Sequence, residues 1–157
     1  AYWMGFNEYK EANLSKKLPK MIGVQAKGSA PLISGTKIEK PETIATAIRI
    51  GDPVNRSKAN KVKAESNGTF LDVSDEEIIQ AYKLLGKEEG IFCEPASASS
   101  IAGLLKLKDN IPENSTVVCV LTGNGLKDPE CAINNNDAVF KSGIDPNMDL
   151  IAKTMGF

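Results

Sequence analysis

The sequence predicts an α/β fold in which a mostly parallel sheet is flanked by helices. Short apolar, β-branched segments alternate with segments whose apolar residues recur at helical spacing. The run 117–121 is continuously apolar, which is typical of a strand buried on both faces of a parallel sheet. It ends in the turn 122–125, where two glycines let the backbone come close to a ligand. Ligands of open α/β sheets bind beyond the carboxyl ends of the strands, so this turn is the first candidate site.

The composition is that of one ordinary globular domain. The chain has 157 residues, of which 25% are charged and 41% are apolar, and its formal net charge is -1. Such a charge does not favour nucleic acid or an anionic membrane, and no apolar run approaches the roughly 20 residues of a membrane span. We therefore expect neither nucleic acid nor a membrane as a partner.

The cysteine and histidine counts restrict the chemistry. Cys93, Cys119 and Cys131 are odd in number and not closely paired, which indicates buried thiols in a reducing, cytoplasmic compartment. Histidine is absent, so Ser-His-Asp and Cys-His catalysis are excluded and no metal site is expected. Acid–base chemistry then falls to lysine, a carboxylate or a bound group.

Periodicity and turn signals define the elements of the first half. Tyr2, Phe6, Tyr9 and Trp3 share one face of the first helix. Small polar residues and glycine mark the turns between the segments that follow. In order, we predict a helix over 2–14, a strand over 21–26, a loop over 27–40, a small-residue stretch over 43–50, a helix over 57–66 and a strand over 69–73.

Capping signals define the helices of the second half. Ser74 and Glu77 form a capping box before a helix that continues through Leu85. Pro95 suits the first turn of a helix that runs through Leu105, because its missing N–H is not needed there. The remaining predicted elements are the strand 117–121, a short helix over 126–133, a loop over 134–137 and a helix over 149–155.

Two segments share the form of an apolar strand that runs into a polar turn. Glu94 follows the run 91–93, and Thr122 follows the run 117–121. If the strands are neighbours, a carboxylate and a hydroxyl meet at one rim of the sheet and could hold a heterocycle or a substrate amine. Each has a simpler alternative: Glu94 is a carboxylate favoured by a helix N-terminus, and 122–125 is an ordinary strand-to-helix turn.

The small residues of 43–51 make a third candidate, because they leave room for a flat group against the backbone. Close packing of a helix on a sheet is the alternative for this stretch. The turn 123–125 lacks the ending of a P-loop and the glycine spacing of a dinucleotide fingerprint. The chain also opens on an apolar-rich helical pattern without methionine or an N-cap residue, so we expect a piece of a longer protein.

A family resemblance is carried by three stretches: 43–55 (TIATAIRIGDPVN), 90–98 (GIFCEPASA) and 120–128 (VLTGNGLKD). Together they resemble the threonine synthases, pyridoxal-phosphate enzymes of the tryptophan-synthase-β-like fold (fold type II). The segment 1–6 resembles the helix after that family's glycine-rich phosphate loop. The resemblance implies the C-terminal portion of a fold type II enzyme. Residues 1–157 are then mostly part of the large cofactor-binding domain, with no second complete domain.

The resemblance also implies cofactor-binding roles for four residues. Thr122 donates its hydroxyl to the pyridine nitrogen of pyridoxal 5'-phosphate (PLP), and Gly123 belongs to the same turn. Glu94 borders the ring, and Ala47 belongs to the small-residue stretch that faces one side of it. A neutral hydroxyl does not force the ring nitrogen to stay protonated, so it moderates the electron sink.

The activity implied by the resemblance belongs to a parent enzyme, a homodimer that converts O-phosphohomoserine and water to L-threonine and phosphate. The family's Schiff-base lysine and phosphate loop have no match here, so no catalytic residue is carried over and the chain alone is expected to be inactive. Asp52 and Arg56 differ from the residues often seen in their stretch. Two alternatives stay open: a threonine dehydratase or cysteine synthase-like enzyme of the same fold, and a non-catalytic ligand-binding domain.

Overall fold

The computed structural model describes residues 1–135 and 145–156 of the chain. Short 3-10 turns lie at Thr46–Ile48, Lys108–Asn110 and Gly125–Lys127. The helices and strands, in chain order, are α1 (Tyr2–Glu11), β1 (Ile22–Ala26), α2 (Pro31–Ser34), α3 (Arg56–Glu65), β2 (Thr69–Val73), α4 (Asp75–Glu89), α5 (Pro95–Leu107), α6 (Pro129–Asn134) and α7 (Met148–Met155).

The two strands pair in parallel. Ile22 lies opposite Thr69 at one end of the ladder, and Ala26 lies opposite Val73 at the other. Parallel strands need a long crossover connection, and residues 27–68, with α2 and α3, provide it. Ala26 and Val73 are fully buried, so the carboxyl ends of both strands reach the core. The predicted α/β class with a parallel sheet and flanking helices is confirmed.

The prediction of a buried strand over 117–121 is wrong for the described residues. Within residues 1–135 and 145–156 this segment pairs with neither strand. Val118 is 81% exposed, and Val117 and Val120 are 45% and 41% exposed. An apolar, β-branched run favours extended backbone, but a strand forms only where a second backbone satisfies its N–H and C=O groups.

Helix α4 begins at the predicted capping box. The Ser74 hydroxyl accepts the Glu77 amide at 3.2 Å, and the Glu77 carboxylate accepts the Ser74 amide at 2.7 Å. Ile78 and Leu85 lie on the buried face of the helix, as their spacing predicts. The helix ends at Gly90, whose φ of 64° is left-handed backbone that glycine adopts readily.

The core lies between α4, α5 and the sheet. Helix α5 packs against α4 and against both strands. Most of the buried side chains are small, which lets the helix backbones approach the sheet closely. The buried cluster consists of Ala26, Ala45, Val73, Ile78, Ala81, Leu85, Cys93, Ala96, Ala98 and Ala102.

Helix α1 buries less of its apolar face than its sequence predicts. Trp3 is 8% exposed and donates its indole N–H to a Glu65 carboxylate oxygen at 2.7 Å. Tyr2, Phe6 and Tyr9 are exposed. Spacing therefore predicts the helix, whereas burial of each side chain depends on what packs against it.

The other predicted elements need smaller corrections. Helix α3 ends at Glu65, and Asn67 takes a φ of 51° at the predicted stop. The predicted helix over 126–133 divides into the turn Gly125–Lys127 and α6, while α7 closely matches its prediction. The predicted loop over 134–137 lies partly outside the described residues. None of the helices in the described ranges is long and apolar enough to cross a bilayer.

Gly103 sets how closely α5 approaches the sheet. A Cβ at this position would lie 2.6 Å from Val24 Cγ2 and 3.3 Å from Val24 Cγ1. Gly86 in α4 differs, because a Cβ there would meet nothing within 4 Å. The two helical glycines therefore make a matched pair for testing the packing of α5.

We expect Gly103→Ala to lower the free energy of unfolding by about 1–3 kcal/mol, because the added methyl group overpacks the contact with Val24. Gly86→Ala should raise it by about 0.5–1 kcal/mol, because alanine restricts the unfolded chain and fits the helix. Urea unfolding followed by circular dichroism measures both changes. Equal effects of the same sign would contradict the close packing of α5 on β1.

Candidate functional site

Backbone hydrogen bonds join the two segments that the sequence predicts to meet. The Glu94 amide donates to the Gly123 carbonyl at 3.0 Å, and the Gly125 amide donates to the Phe92 carbonyl at 3.1 Å. These bonds form an antiparallel bridge that is isolated from the sheet. We call residues 92–97 together with 122–125 the junction. Glu94 and Thr122 therefore belong to one junction, which lies outside the two-stranded sheet and not at its rim as predicted.

Both glycines of the turn are required by this close approach. A Cβ on Gly123 would lie 2.2 Å from a Glu94 carboxylate oxygen, and one on Gly125 would lie 2.4 Å from the Phe92 ring. No side chain fits at either position without moving its neighbour. The sequence predicts that these glycines admit a ligand, whereas the structure shows the side chains of Glu94 and Phe92 packed against them.

Glu94 is a buried, paired carboxylate. The residue is 4% exposed. Its two carboxylate oxygens lie 3.1 and 3.2 Å from the Lys127 ammonium nitrogen. Glu94 occupies the N-cap position of α5, but its side chain forms no capping hydrogen bond there. Attraction to the helix N-terminus is therefore an incomplete explanation of Glu94, because the neighbouring turn supplies its counter-ion.

Thr122 lies on the exposed side of the junction, next to Ser97. The two hydroxyl oxygens are 3.1 Å apart. Ser97 is 1% exposed and accepts the Gly123 amide at 2.9 Å. Ser97 does not stand out in the sequence, because its surroundings fit an ordinary helix start. The available signal is its position in the first turn of α5, where side chains lean back towards the helix N-terminus.

Asp75 fastens the small-residue stretch 43–51 to the start of α4. Its carboxylate accepts the Thr43 hydroxyl at 2.5 Å and the Ile44 amide at 3.1 Å. The Arg49 guanidinium donates to the Thr43 carbonyl from two of its nitrogens. These bonds hold an irregular segment in one place, and Asp75 is a further residue that the sequence analysis misses.

The same stretch passes beside the turn that follows Thr122. Ala45 is fully buried in the core, which supports close packing at that position. Ala47 is exposed within the 3-10 turn Thr46–Ile48. The Thr46 hydroxyl lies 3.5 Å from an Asp128 carboxylate oxygen. The turn that carries Ala47 therefore lies against Asp128, three residues beyond the junction.

The cysteines are unsuited to nucleophilic catalysis. All three are free, and Cys93 and Cys131 are buried while Cys119 is partly buried. Burial raises the pKa of each thiol, so the reactive thiolate is scarce at neutral pH. In the described part of the chain, no cluster of three or more histidine, cysteine, aspartate or glutamate residues is arranged to hold a metal ion.

Comparison with known proteins adds a family match. Residues 1–123 match the protein family described as "Pyridoxal-phosphate dependent enzyme". The chain is 59% identical over 157 residues to a protein named threonine synthase from Synechocystis sp., covering 100% of this chain and 41% of that protein. It is 52% identical over 148 residues to a protein of the same name from Mycobacterium bovis, covering 93% and 41%. The chain therefore spans about two fifths of the length of these curated relatives.

A solved structure shares the fold. The crystal structure of a fungal L-serine ammonia-lyase from Rhizomucor miehei matches with a TM-score of 0.58, covering 82% of this chain and 44% of that chain. The sequence identity is 22%, so this likeness concerns the fold alone.

The pairing of Glu94 with Lys127 leads to a stability test. We expect Lys127→Met to lower the free energy of unfolding by about 1–2 kcal/mol, because it leaves a buried carboxylate without its cation, partly screened by solvent. Adding Glu94→Gln should restore most of the loss, since a neutral amide needs no counter-ion. Urea unfolding measures both variants.

Lys87→Met is the matched control, because Lys87 pairs with Glu88 at the surface, where the two side chains are 82% and 53% exposed. Its effect should stay within about 0.5 kcal/mol. Equal losses in Lys127→Met and Lys87→Met would contradict a special role for the pairing of Lys127 with the buried Glu94.

Proposed function

The chain belongs to the family of pyridoxal-phosphate-dependent enzymes, and we propose that it is the C-terminal part of a threonine synthase. In this proposal the intact enzyme converts O-phosphohomoserine and water to L-threonine and phosphate. Residues 1–157 contribute mostly to its large cofactor-binding domain. The intact enzyme is proposed to act as a homodimer in the cytoplasm.

One observation carries the proposal: the 59% identity to a protein named threonine synthase extends over the whole chain. The junction supports it, because it combines a polar turn, an exposed hydroxyl and a neighbouring small-residue segment. The same features alone would also suit a threonine dehydratase or a cysteine synthase-like enzyme. Among these reactions, which share one cofactor, the identity supports threonine synthesis.

The residues at the junction fit the pyridine ring of PLP. Among the described residues, the hydroxyl of Thr122 has Ser97 as its hydrogen-bond partner, which leaves bonding capacity on its exposed side. The nearby charge of Glu94 is paired with Lys127, so the ring nitrogen is offered a neutral group. The exposed Ala47 leaves space for a flat group beside the turn.

When bound, PLP supplies an electron sink for carbanion chemistry. Thr122 is proposed to donate its hydroxyl to the ring nitrogen, with Gly123 in the same turn. Glu94 borders the ring and Ala47 lines one side of it. We assign no catalytic acid, base or nucleophile to this chain. The lysine that holds the cofactor covalently is proposed to lie in the part of the parent enzyme outside it.

The substrate assignment is tested on the intact, PLP-loaded protein. We expect it to release phosphate from O-phosphohomoserine and to form an equal amount of threonine, with no turnover when the cofactor is removed. Ammonia release from L-threonine, or cysteine formation from O-acetylserine and sulfide, would instead assign another reaction of the same fold. Cofactor binding without any of these activities would favour a ligand-binding domain.

The division of labour within the enzyme is tested on residues 1–157 alone. We expect no lysine-bound absorbance band on addition of PLP, because the covalent lysine is proposed to lie elsewhere. Borohydride reduction followed by peptide mapping measures any covalent product. A strong, reducible band on one lysine of this chain would contradict the proposal, and the intact protein is the positive control.

A further inference from the structure

The Ser97 hydroxyl lies at the centre of the junction, with three polar atoms around it. Its oxygen is 2.9 Å from the Gly123 amide nitrogen, 3.1 Å from the Thr122 hydroxyl and 3.3 Å from the Gly123 carbonyl. Ser97 is 1% exposed, so solvent has little access to these bonds. All three contacts are made to the turn that begins with Thr122.

The protons in this network can be assigned by counting donors. An amide N–H can only donate, so the Gly123 amide occupies one lone pair of the Ser97 oxygen. Ser97 has a single proton, which points either to Thr122 or to the Gly123 carbonyl. That carbonyl already accepts the Glu94 amide at 3.0 Å and is the more distant of the two acceptors. The shorter distance favours Thr122 as the acceptor of the Ser97 proton.

The reverse arrangement suits an unprotonated ring nitrogen less well. If Thr122 donated to Ser97, the Ser97 proton would go to the Gly123 carbonyl at the longer distance of 3.3 Å, where the second lone pair of that oxygen can accept it. The Thr122 hydroxyl would then present only lone pairs to its exposed side. The two arrangements therefore differ in what Thr122 offers to a ligand: a proton in the first and an acceptor in the second.

We propose that Ser97 is a positioning residue that donates to Thr122 and so leaves the Thr122 proton for the pyridine nitrogen of the cofactor. The inference rests on the proposed function, since it takes the ring nitrogen as the partner of Thr122. Ser97 itself does not touch the cofactor in this scheme. It acts by fixing the rotation of the neighbouring hydroxyl.

The consequence is a bias in the protonation of the ring. A nitrogen that accepts a hydrogen bond uses its lone pair and cannot carry a proton on it at the same time. With Ser97 as donor, Thr122 therefore favours the unprotonated ring. Without Ser97, the Thr122 hydroxyl rotates freely and accommodates a protonated nitrogen as well. Ser97 thus tunes the strength of the electron sink.

Nitrogen NMR of the intact protein, loaded with PLP labelled at the ring nitrogen, tests this role without measuring activity. In Ser97→Ala, the pH at which the ring nitrogen becomes protonated should rise by about one unit. A shift of one unit corresponds to roughly the net stabilisation that one hydrogen bond provides. Ser97→Thr keeps the hydroxyl and should restore the original titration.

Ser99→Ala is the matched control. Ser99 is also buried on α5, and its hydroxyl donates to the Ala96 carbonyl at 2.6 Å and not to the turn. Its removal should leave the ring titration unchanged. A double-mutant cycle separates positioning from general disturbance: once Thr122→Val has removed the responding hydroxyl, adding Ser97→Ala should cause no further shift.

An unchanged titration in Ser97→Ala would overturn the inference. So would an equal shift in Ser99→Ala, or a Ser97→Ala shift that persists in the Thr122→Val background. The proposed function fails separately. A protein that shows the Ser97 dependence but releases no phosphate from O-phosphohomoserine loses its substrate assignment and keeps this inference, whereas a protein that takes up no PLP loses both.

Discussion

The close backbone approach of residues 92–94 to residues 123–125 is the constraint on which the site depends. Two amide-to-carbonyl hydrogen bonds hold it, and glycines at 123 and 125 make it sterically possible. Because α5 starts directly after this contact, the first turn of the helix lies beside the polar turn 122–125. Further along α5, Gly103 lets the helix approach Val24 of the sheet closely.

The chemistry of the junction follows from how its polar groups are paired. The buried carboxylate of Glu94 meets the ammonium of Lys127, so its charge is compensated locally. The buried hydroxyl of Ser97 forms hydrogen bonds with Thr122 and Gly123 of the same turn. Thr122 remains the group with an exposed side, and it is neutral. In the proposed site, this neutral hydroxyl allows the pyridine nitrogen to stay unprotonated, whereas a carboxylate would hold a proton on it.

Local sequence signals predict most of the helices and strands correctly. The wrong predictions concern features that depend on contacts with distant residues. The capping box of Ser74 and Glu77 was predictable because its partners are three residues apart, within one helical turn. The strand over 117–121 was not, because a ladder needs a second backbone and the described residues provide none. The apolar face of α1 fails for the same reason: periodicity predicted a face, but the structure buries Trp3 and leaves Tyr2, Phe6 and Tyr9 exposed.

By itself, the sequence determined the alternation of strands and helices, the helix starts at Ser74 and Pro95, and a hydroxyl followed by glycines at 122–125. Its motifs also carried the family resemblance that the family match then confirmed. Only the tertiary structure decided that Ser97 meets Thr122, 25 residues away, and that Glu94 meets Lys127, 33 residues away. The physical reason is that such contacts depend on how two separate segments dock. Many pairings are compatible with each local pattern, and packing selects one of them.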